Sequence, residues 1–278
     1  MGGGWKEEGT SFARAFAGAY IFGIPLLFTM EMWWIGQYAE RWKILLFVGV
    51  ALVTNVGLSY AAGFRRQEAK RTLGAHLDEA IDAFAVGIVG GTLVLLVLNQ
   101  LRANASLDAN LGKIVLQAIP LGIGASVATQ VFDGESKGGR VGAKQPAEGG
   151  WMRLTADLGA TAIGGVFICA SVAPTDEITL IASSLTSAHV LACIALSLAI
   201  ELVIITATGL RAHRSRHPTH HPFAVVVLAY AVSLLVSFAS LLLFDVLSFS
   251  DPAEVLVRLT VVLAIPTAIG GAAGRLVI

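Results

Sequence analysis

Eight apolar runs of about twenty residues follow one another along the 278-residue chain. A helix of this length crosses the roughly 30 Å hydrocarbon core of a bilayer, and a helix satisfies its own backbone hydrogen bonds there. The sequence therefore predicts an all-α fold, a polytopic membrane helical bundle with eight transmembrane helices. The predicted spans are 12–34, 44–64, 80–101, 111–132, 154–173, 187–210, 223–244 and 255–277.

The composition excludes the main soluble classes. Apolar residues make up 55% of the chain and charged residues 14%, and the mean hydropathy is +0.75. The 19 Lys and Arg balance 19 Asp and Glu, so no basic excess indicates nucleic acid, and two cysteines are too few for a disulfide scaffold. The expected surroundings are a lipid bilayer, with no nucleic-acid partner.

Positive charges are distributed unequally between the two sides of the predicted bundle. Fourteen Lys and Arg lie in the two termini and in the second, fourth and sixth loops, whereas the other four loops hold five. By the positive-inside rule, both termini are predicted to be cytoplasmic.

The second half of the chain repeats features of the first. At a shift of 146 positions, a Thr-x-Glu motif, a Gly-x-Arg segment and a Pro-centred segment recur in the same order. For the third and seventh spans the predicted shift is 139. The pattern predicts two four-helix repeats, 1–132 and 151–278, joined by a cytoplasmic Gly-rich linker at 133–150. Because each repeat has an even number of spans, the two are parallel and related by a pseudo-twofold axis along the membrane normal.

Glu201 is the deepest predicted intramembrane carboxyl. It lies about nine residues, or roughly 13 Å, from the cytoplasmic end of its span, and its repeat counterpart is Asn55. A charge at a helix centre costs about 2.5–3.5 kcal/mol on insertion scales, so such residues face protein or water and often mark a pathway. One interpretation is a carboxyl that is neutral at rest and ionises during proton or cation passage. The other is a protonated carboxyl hydrogen-bonded across a helix pair, for example to Asn55.

Further acidic residues stand near the outer ends of the first and fifth spans, each Glu two positions after a threonine. Facing one another, they would form an acidic vestibule that concentrates cations. Alternatively, they cap neighbouring helices or pair with Arg41 or Lys43. The residues are Thr29, Glu31, Thr175, Asp176 and Glu177.

Two prolines stand near the middle of the fourth and eighth spans, at Pro120 and Pro266. Each removes a backbone donor, so helix kinks and freed carbonyls around Leu116 and Val262 are expected. Paired interruptions of this kind often mark a transporter binding site. Close helix packing at the glycines that follow is the alternative.

The sequence does not identify a metal or a cofactor. A polar face on the sixth span extends over roughly 18 Å, which is too long for one ion, so a polar helix contact is favoured. One interpretation of the histidines in 213–221 is that they bind a divalent metal or sense pH. The favoured interpretation is a solvated basic loop on the cytoplasmic side. The polar face consists of His189, Cys193, Ser197 and Glu201.

Two short motifs, FTMEMWW at 28–34 and APTDEI at 173–178, resemble a family of bacterial integral membrane proteins classed as a domain of unknown function. The resemblance covers most of the chain. It implies a bacterial cytoplasmic membrane and no particular activity.

The preferred hypothesis is a channel or secondary transporter for protons or a small cation, with intramembrane carboxylates at the interface of the two repeats. Glu201 with Asn55 would form the central binding point, and the outer carboxylates would gather the ion. The alternative is a non-transporting structural or assembly subunit, in a homo-oligomer or a larger membrane complex. An enzyme is not expected, because no metalloprotease or serine-hydrolase motif is visible.

Overall fold

A computed structural model describes residues 4–65, 72–137, 150–207 and 222–277. Within these ranges the fold is all-helical, as predicted, with ten α-helices and no strand. The helices are α1 (Gly4–Leu27), α2 (Met30–Tyr38), α3 (Arg41–Arg65), α4 (Leu73–Val97), α5 (Leu107–Lys137), α6 (Gly150–Val172), α7 (Asp176–Ser184), α8 (Ser187–Ala207), α9 (Pro222–Leu243) and α10 (Ala253–Val277).

Seven of these helices, namely α1, α3, α4, α5, α8, α9 and α10, are long and apolar enough to cross a membrane. The pair α6 and α7 passes the same criterion together but is bent by 91° at the break between them. If that pair is one broken span, the described part of the chain has up to eight spans, which is the predicted number.

The first predicted span, 12–34, is not one continuous helix. The long helix α1 ends at Leu27, and the short helix α2 begins at Met30. Two carbonyls at the end of α1 accept hydrogen bonds from side chains. The Thr29 hydroxyl donates to Leu26 O at 2.8 Å, and Trp33 Nε1 donates to Leu27 O at 3.1 Å. These donors replace partners that a helix end lacks. The prediction was wrong here because apolar residues continue through the break.

The chain divides into two compact units, each described by itself. The first consists of Met1–Leu96 and Gln100–Gly139, and the second of Val97–Asn99 and Arg140–Ile278. In the first unit α1, α2 and α3 pack against α5, and in the second α6, α7, α8 and α9 pack against α10. Each unit is therefore organised around its last long helix.

Glycines bring the backbones of two helix pairs into direct contact. A Cβ placed on Gly124 of α5 would lie 2.8 Å from the carbonyl oxygen of Gly18 in α1. Likewise, a Cβ on Gly270 of α10 would lie 2.6 Å from the carbonyl oxygen of Gly164 in α6. Such distances leave no room for a side chain, so glycine permits the close helix approach that is typical of membrane bundles.

Helix boundaries recur at a constant spacing along the chain. The helices α2 and α7 begin at 30 and 176 and end at 38 and 184, so both bounds differ by 146 positions. The starts of α3 and α8, and of α5 and α10, differ by the same number. The ends of α4 and α9, at 97 and 243, also differ by 146, whereas their starts, at 73 and 222, differ by 149. The predicted shift of 139 for this pair of spans stays a prediction.

The predicted linker 133–150 is only partly within the described residues. Positions 133–137 continue α5, and α6 begins at Gly150. Positions 138–149 lie outside the described residues.

Candidate functional site

The second unit buries a carboxyl and a guanidinium side by side. Glu201 of α8 has no exposed side-chain surface, and its Oε1 lies 3.8 Å from Nη2 of Arg275 on α10, whose side chain is 3% exposed. This distance is too long for a direct hydrogen bond. Both carboxyl oxygens of Glu201 lack a hydrogen-bond partner among the described residues.

Arg275 connects this carboxyl to a third helix. Its Nε donates to the Thr161 hydroxyl of α6 at 2.5 Å, and that hydroxyl in turn donates to the carbonyl of Asp157 at 2.8 Å. The guanidinium is thereby oriented between α6 and α8. A buried charge needs such partners, because an isolated one is costly.

The polar face of α8 is buried over most of its length. Cys193, Ser197 and Glu201 have no exposed surface, and the Ser197 hydroxyl donates to the Cys193 carbonyl at 2.8 Å. Tyr230 of α9 is also buried. His189, the fourth residue of the predicted polar face, has a different contact. Its Nδ1 lies 2.7 Å from the hydroxyl of Thr186, the residue before α8.

A comparison of magnitudes shows what the pair formed by Glu201 and Arg275 can do. Opposite charges about 4 Å apart attract by about 4 kcal/mol at an effective dielectric constant of 20. The cost of a charge at the centre of a membrane helix is about 2.5–3.5 kcal/mol. The attraction between the two charges is therefore of the same order as the cost of burying one of them.

Asn55 of α3 is fully buried in the first unit, and neither its Oδ1 nor its Nδ2 has a hydrogen-bond partner among the described residues. Burying an amide without partners is costly, and bound water is the usual remedy. Because Asn55 and Glu201 belong to different units, their predicted pairing stays a prediction.

The predicted outer carboxylates open two short helices instead of ending long ones. Glu31 lies in the first turn of α2, and Asp176 and Glu177 lie in the first turn of α7. Acidic groups at this position are stabilised by the partial positive charge of the helix N-terminus. The proposed facing of Glu31 and Glu177 across two units stays a prediction.

Both threonines of the motif occupy the N-cap position, and neither caps through its side chain. The Thr175 hydroxyl donates backwards to Val172 O at 2.8 Å, as that of Thr29 does to Leu26 O. The motif therefore joins a long helix to a short one in both units.

The basic residues considered as partners of Glu31 form other ion pairs. Arg41 Nη2 lies 2.5 Å from Asp108 Oδ2, and Lys43 Nζ lies 3.7 Å from Glu40 Oε1.

Both predicted prolines lie inside long helices and are buried. Pro120 stands within α5 and Pro266 within α10. Beside Pro266, the Thr267 hydroxyl donates to Leu263 O at 2.7 Å and accepts from the Ser237 hydroxyl of α9 at 2.9 Å. This polar contact joins α9 to α10 at mid-span.

Sequence reasoning missed several site residues. Arg275 is one of the fourteen Lys and Arg residues predicted on the cytoplasmic side, and its pairing with Glu201 is not predicted from the sequence. His76 and Glu79 were missed because α4 begins at Leu73, seven residues before the predicted span 80–101. Their spacing of three, which places them on one helix face, was the available signal.

No group of three or more His, Cys, Asp or Glu side chains that would hold a metal occurs in the described ranges. The histidine-rich run 213–221 lies outside them. Metal binding by that run therefore stays a hypothesis.

Residues 11–278 match the family described as "Putative integral membrane protein (DUF2391)". No curated protein and no solved structure matches the chain. The match agrees with the resemblance of the two short motifs and with the long apolar helices. The chain belongs to this family of integral membrane proteins, a domain of unknown function.

Proposed function

We propose that this protein transfers protons across a membrane, as a channel or secondary transporter, with Glu201 as the central proton-carrying group. The observation that carries the proposal is a fully buried carboxyl that lacks hydrogen-bond donors among the described residues and lies 3.8 Å from a guanidinium. A purely structural carboxyl at this depth would be expected to have its oxygens hydrogen-bonded. The proposal assigns no enzymatic activity to the chain.

The neighbour of Glu201 favours a proton over a metal cation. A sodium or potassium ion bound to this carboxyl would stand close to the positive charge of Arg275 and would be repelled. A proton neutralises the carboxyl without adding a charged body to the site. Arg275 would stabilise the ionised state after the proton has left.

Other predicted residues receive supporting roles. We propose that Glu31, Asp176 and Glu177 concentrate cations at the outer mouth, and that Pro120 and Pro266 allow local helix adjustment. Asn55 would hold water in the first unit. The recurring spacing of 146 positions supports the view that the two units are repeats of one ancestral bundle.

The alternative is a structural or assembly subunit without transport. The observation that favours it is the link from Glu201 through Arg275 to Thr161, which joins three helices. In this view the ion pair fixes the packing of the second unit, and replacement of Glu201 would change stability and not flux.

The test uses purified protein in liposomes that contain a pH-sensitive dye. A potassium gradient with valinomycin sets the membrane potential, and proton flux is compared for wild type, Glu201→Gln and Glu254→Gln. Glu254 is a matched control because it is an exposed carboxyl of α10 paired with Arg258. We expect Glu201→Gln to lower the flux by at least roughly tenfold, whereas Glu254→Gln retains it.

Wild-type protein that is folded but gives no flux above empty liposomes would contradict the proposal and favour the assembly role. Flux that is equal in wild type and Glu201→Gln would remove Glu201 from the pathway. Sodium- and potassium-sensitive dyes in the same vesicles test whether a small cation moves instead.

A further inference from the structure

A second polar cluster lies in the first unit, where α3 approaches the beginning of α4. The Ser59 hydroxyl oxygen lies 2.7 Å from His76 Nδ1, and the hydroxyl donates a short hydrogen bond to Glu79 Oε2. Ser59 therefore stands between an imidazole and a carboxylate, and it contacts both.

The donor and acceptor atoms of Ser59 fix the direction of the two hydrogen bonds in this cluster. A serine hydroxyl has one hydrogen, and Ser59 gives it to Glu79, so its oxygen must accept the hydrogen of His76 Nδ1. The order of donation is then from His76 to Ser59 to Glu79. A hydroxyl placed this way can receive one proton while it releases another.

These three hydrogen-bonded side chains have a buried end and a solvent-exposed end. His76 is 4% exposed and Ser59 is 8% exposed, whereas Glu79 is an exposed residue. The ring of Tyr60 packs edge-on against the His76 imidazole with centroids 5.8 Å apart. The cluster thus connects the interior of the first unit to its surface.

Asn55 extends the polar path inward. It lies one helical turn before Ser59 on α3, so both project from the same face of that helix. Its amide atoms have no hydrogen-bond partners among the described residues, which favours a bound water beside it. Water there would lead from the buried interior towards the buried end of the cluster, which consists of His76 and Ser59.

We propose that His76, Ser59 and Glu79 form a proton relay at the α3–α4 end of the first unit. This inference rests on the proposed function and supplies a port for the transported proton. By the positive-inside rule this port faces the cytoplasm.

The relay moves one proton from His76 to Glu79. The N–H bond at Nδ1 of a doubly protonated His76 breaks and its proton joins the Ser59 oxygen, while the Ser59 hydroxyl proton moves to Glu79 Oε2. The products are a neutral imidazole, a serine hydroxyl and a carboxylic acid, and Glu79 then releases its proton to water. The relay resets when the hydroxyl and the ring turn.

Several charged or titratable groups surround the relay. Among the described side chains, Tyr60 of α3 packs against His76, and exposed Asp78 and Asp82 of α4 lie one and three positions from Glu79 in the sequence. The negative charge of these aspartates would attract protons to Glu79, the exposed end of the relay.

The first test follows the relay by ¹⁵N NMR of histidine-labelled full-length protein in detergent micelles, with the His76 signal assigned from His76→Gln. We expect His76 to carry a proton on Nδ1 that is hydrogen-bonded to the Ser59 oxygen. The His76 Nδ1 signal should change in Ser59→Ala, which removes the acceptor, and should be restored in Ser59→Thr. An Nδ1 signal that is the same in wild type and Ser59→Ala would overturn the relay, whatever the transport assay shows.

The second test measures proton flux in the liposome assay. Ser59→Ala should lower the flux by at least roughly tenfold, and Ser59→Thr, which keeps a hydroxyl, should restore it. Thr54→Ala is the control, because Thr54 is an exposed α3 residue whose hydroxyl donates to the carbonyl of Val50 in its own helix. Flux that depends on Glu201 but is unchanged in Ser59→Ala would overturn the relay and leave the proposed function standing. A His76 Nδ1 signal that depends on the Ser59 hydroxyl, without wild-type flux, would support the hydrogen-bonded cluster and contradict transport.

Discussion

Asn99 and Asp245 adopt the same left-handed backbone conformation, with φ of 54° and 56°, and lie 146 positions apart. Each follows the end of a long helix, α4 or α9, by two residues. The residue after each one donates its backbone N–H back into that helix, Gln100 to Leu95 O at 2.8 Å and Val246 to Leu241 O at 3.0 Å. This is a common way to end a helix, and Asn and Asp tolerate the conformation better than most residues.

Asp245 allows a direct test of this helix ending. Asp245→Val should destabilise the protein by about 1–2 kcal/mol, because a β-branched side chain clashes in the left-handed region. Asp245→Gly should be neutral or stabilising. Thermal unfolding in detergent can be followed with a thiol-reactive dye, since Cys169 and Cys193 are both fully buried and react only after unfolding. Equal unfolding midpoints for Val and Gly would contradict the strain argument.

The contact between α6 and α10 predicts sharply different effects for two glycines of one helix. Gly164→Ala should lower the unfolding midpoint, at a cost of about 1–3 kcal/mol for overpacking, because its methyl group would meet the backbone of Gly270. Gly159→Ala is the matched control, since a Cβ there meets nothing within 4 Å. It should leave the midpoint unchanged or raise it slightly through better helix propensity. A loss of stability in Gly159→Ala as large as in Gly164→Ala would contradict the packing explanation.

Replacing one member of the buried ion pair should lower the free energy of unfolding more than replacing both. Arg275→Met should destabilise the protein by about 3 kcal/mol, because Glu201 is left without its counter-charge. The double variant Arg275→Met with Glu201→Gln should recover part of that loss. The thiol-dye unfolding midpoint measures both. If the two single effects simply add in the double variant, the residues are not energetically coupled.

The Asn55 side chain should support proton flux although it lowers the stability of the fold. Asn55→Leu removes a buried amide that lacks partners among the described residues, so the protein should become more stable by about 1 kcal/mol or more. Proton flux should fall at the same time, because an apolar side chain cannot hold water beside Ser59. An unchanged flux in a stabilised Asn55→Leu variant would exclude Asn55 from the pathway.

The acidic residues at the starts of α2 and α7 should act through their charge. Neutralising them with Glu31→Gln, Asp176→Asn and Glu177→Gln should lower the flux at low salt, because fewer cations are concentrated at the mouth. At about 1 M salt, where the Debye length is about 3 Å, the difference from wild type should disappear. A deficit that persists at high salt would indicate a structural role for these residues.

The sequence allowed the helical class, the number of spans and the burial of Glu201 to be predicted, because hydropathy and the cost of a buried charge act locally along the chain. It did not reveal that Arg275 pairs with Glu201, since that contact depends on how α10 packs against α8. The break after Leu27 was missed for a similar reason. Apolar composition reports burial in lipid, but it does not report whether the carbonyls of a helix end find side-chain donors such as Trp33.

The position of α10 in the chain sets the order in which the second unit can be completed. This helix packs against α6, α7, α8 and α9, all of which are synthesised before it, and 72% of its membrane span is buried. Arg275 follows Glu201 by 74 positions, which corresponds to roughly 4–15 s of translation at about 5–20 residues per second. During that interval Glu201 stands in the insertion machinery or the bilayer without its counter-charge. The interval before α10 is in place is therefore the stage at which Glu201 lacks its counter-charge.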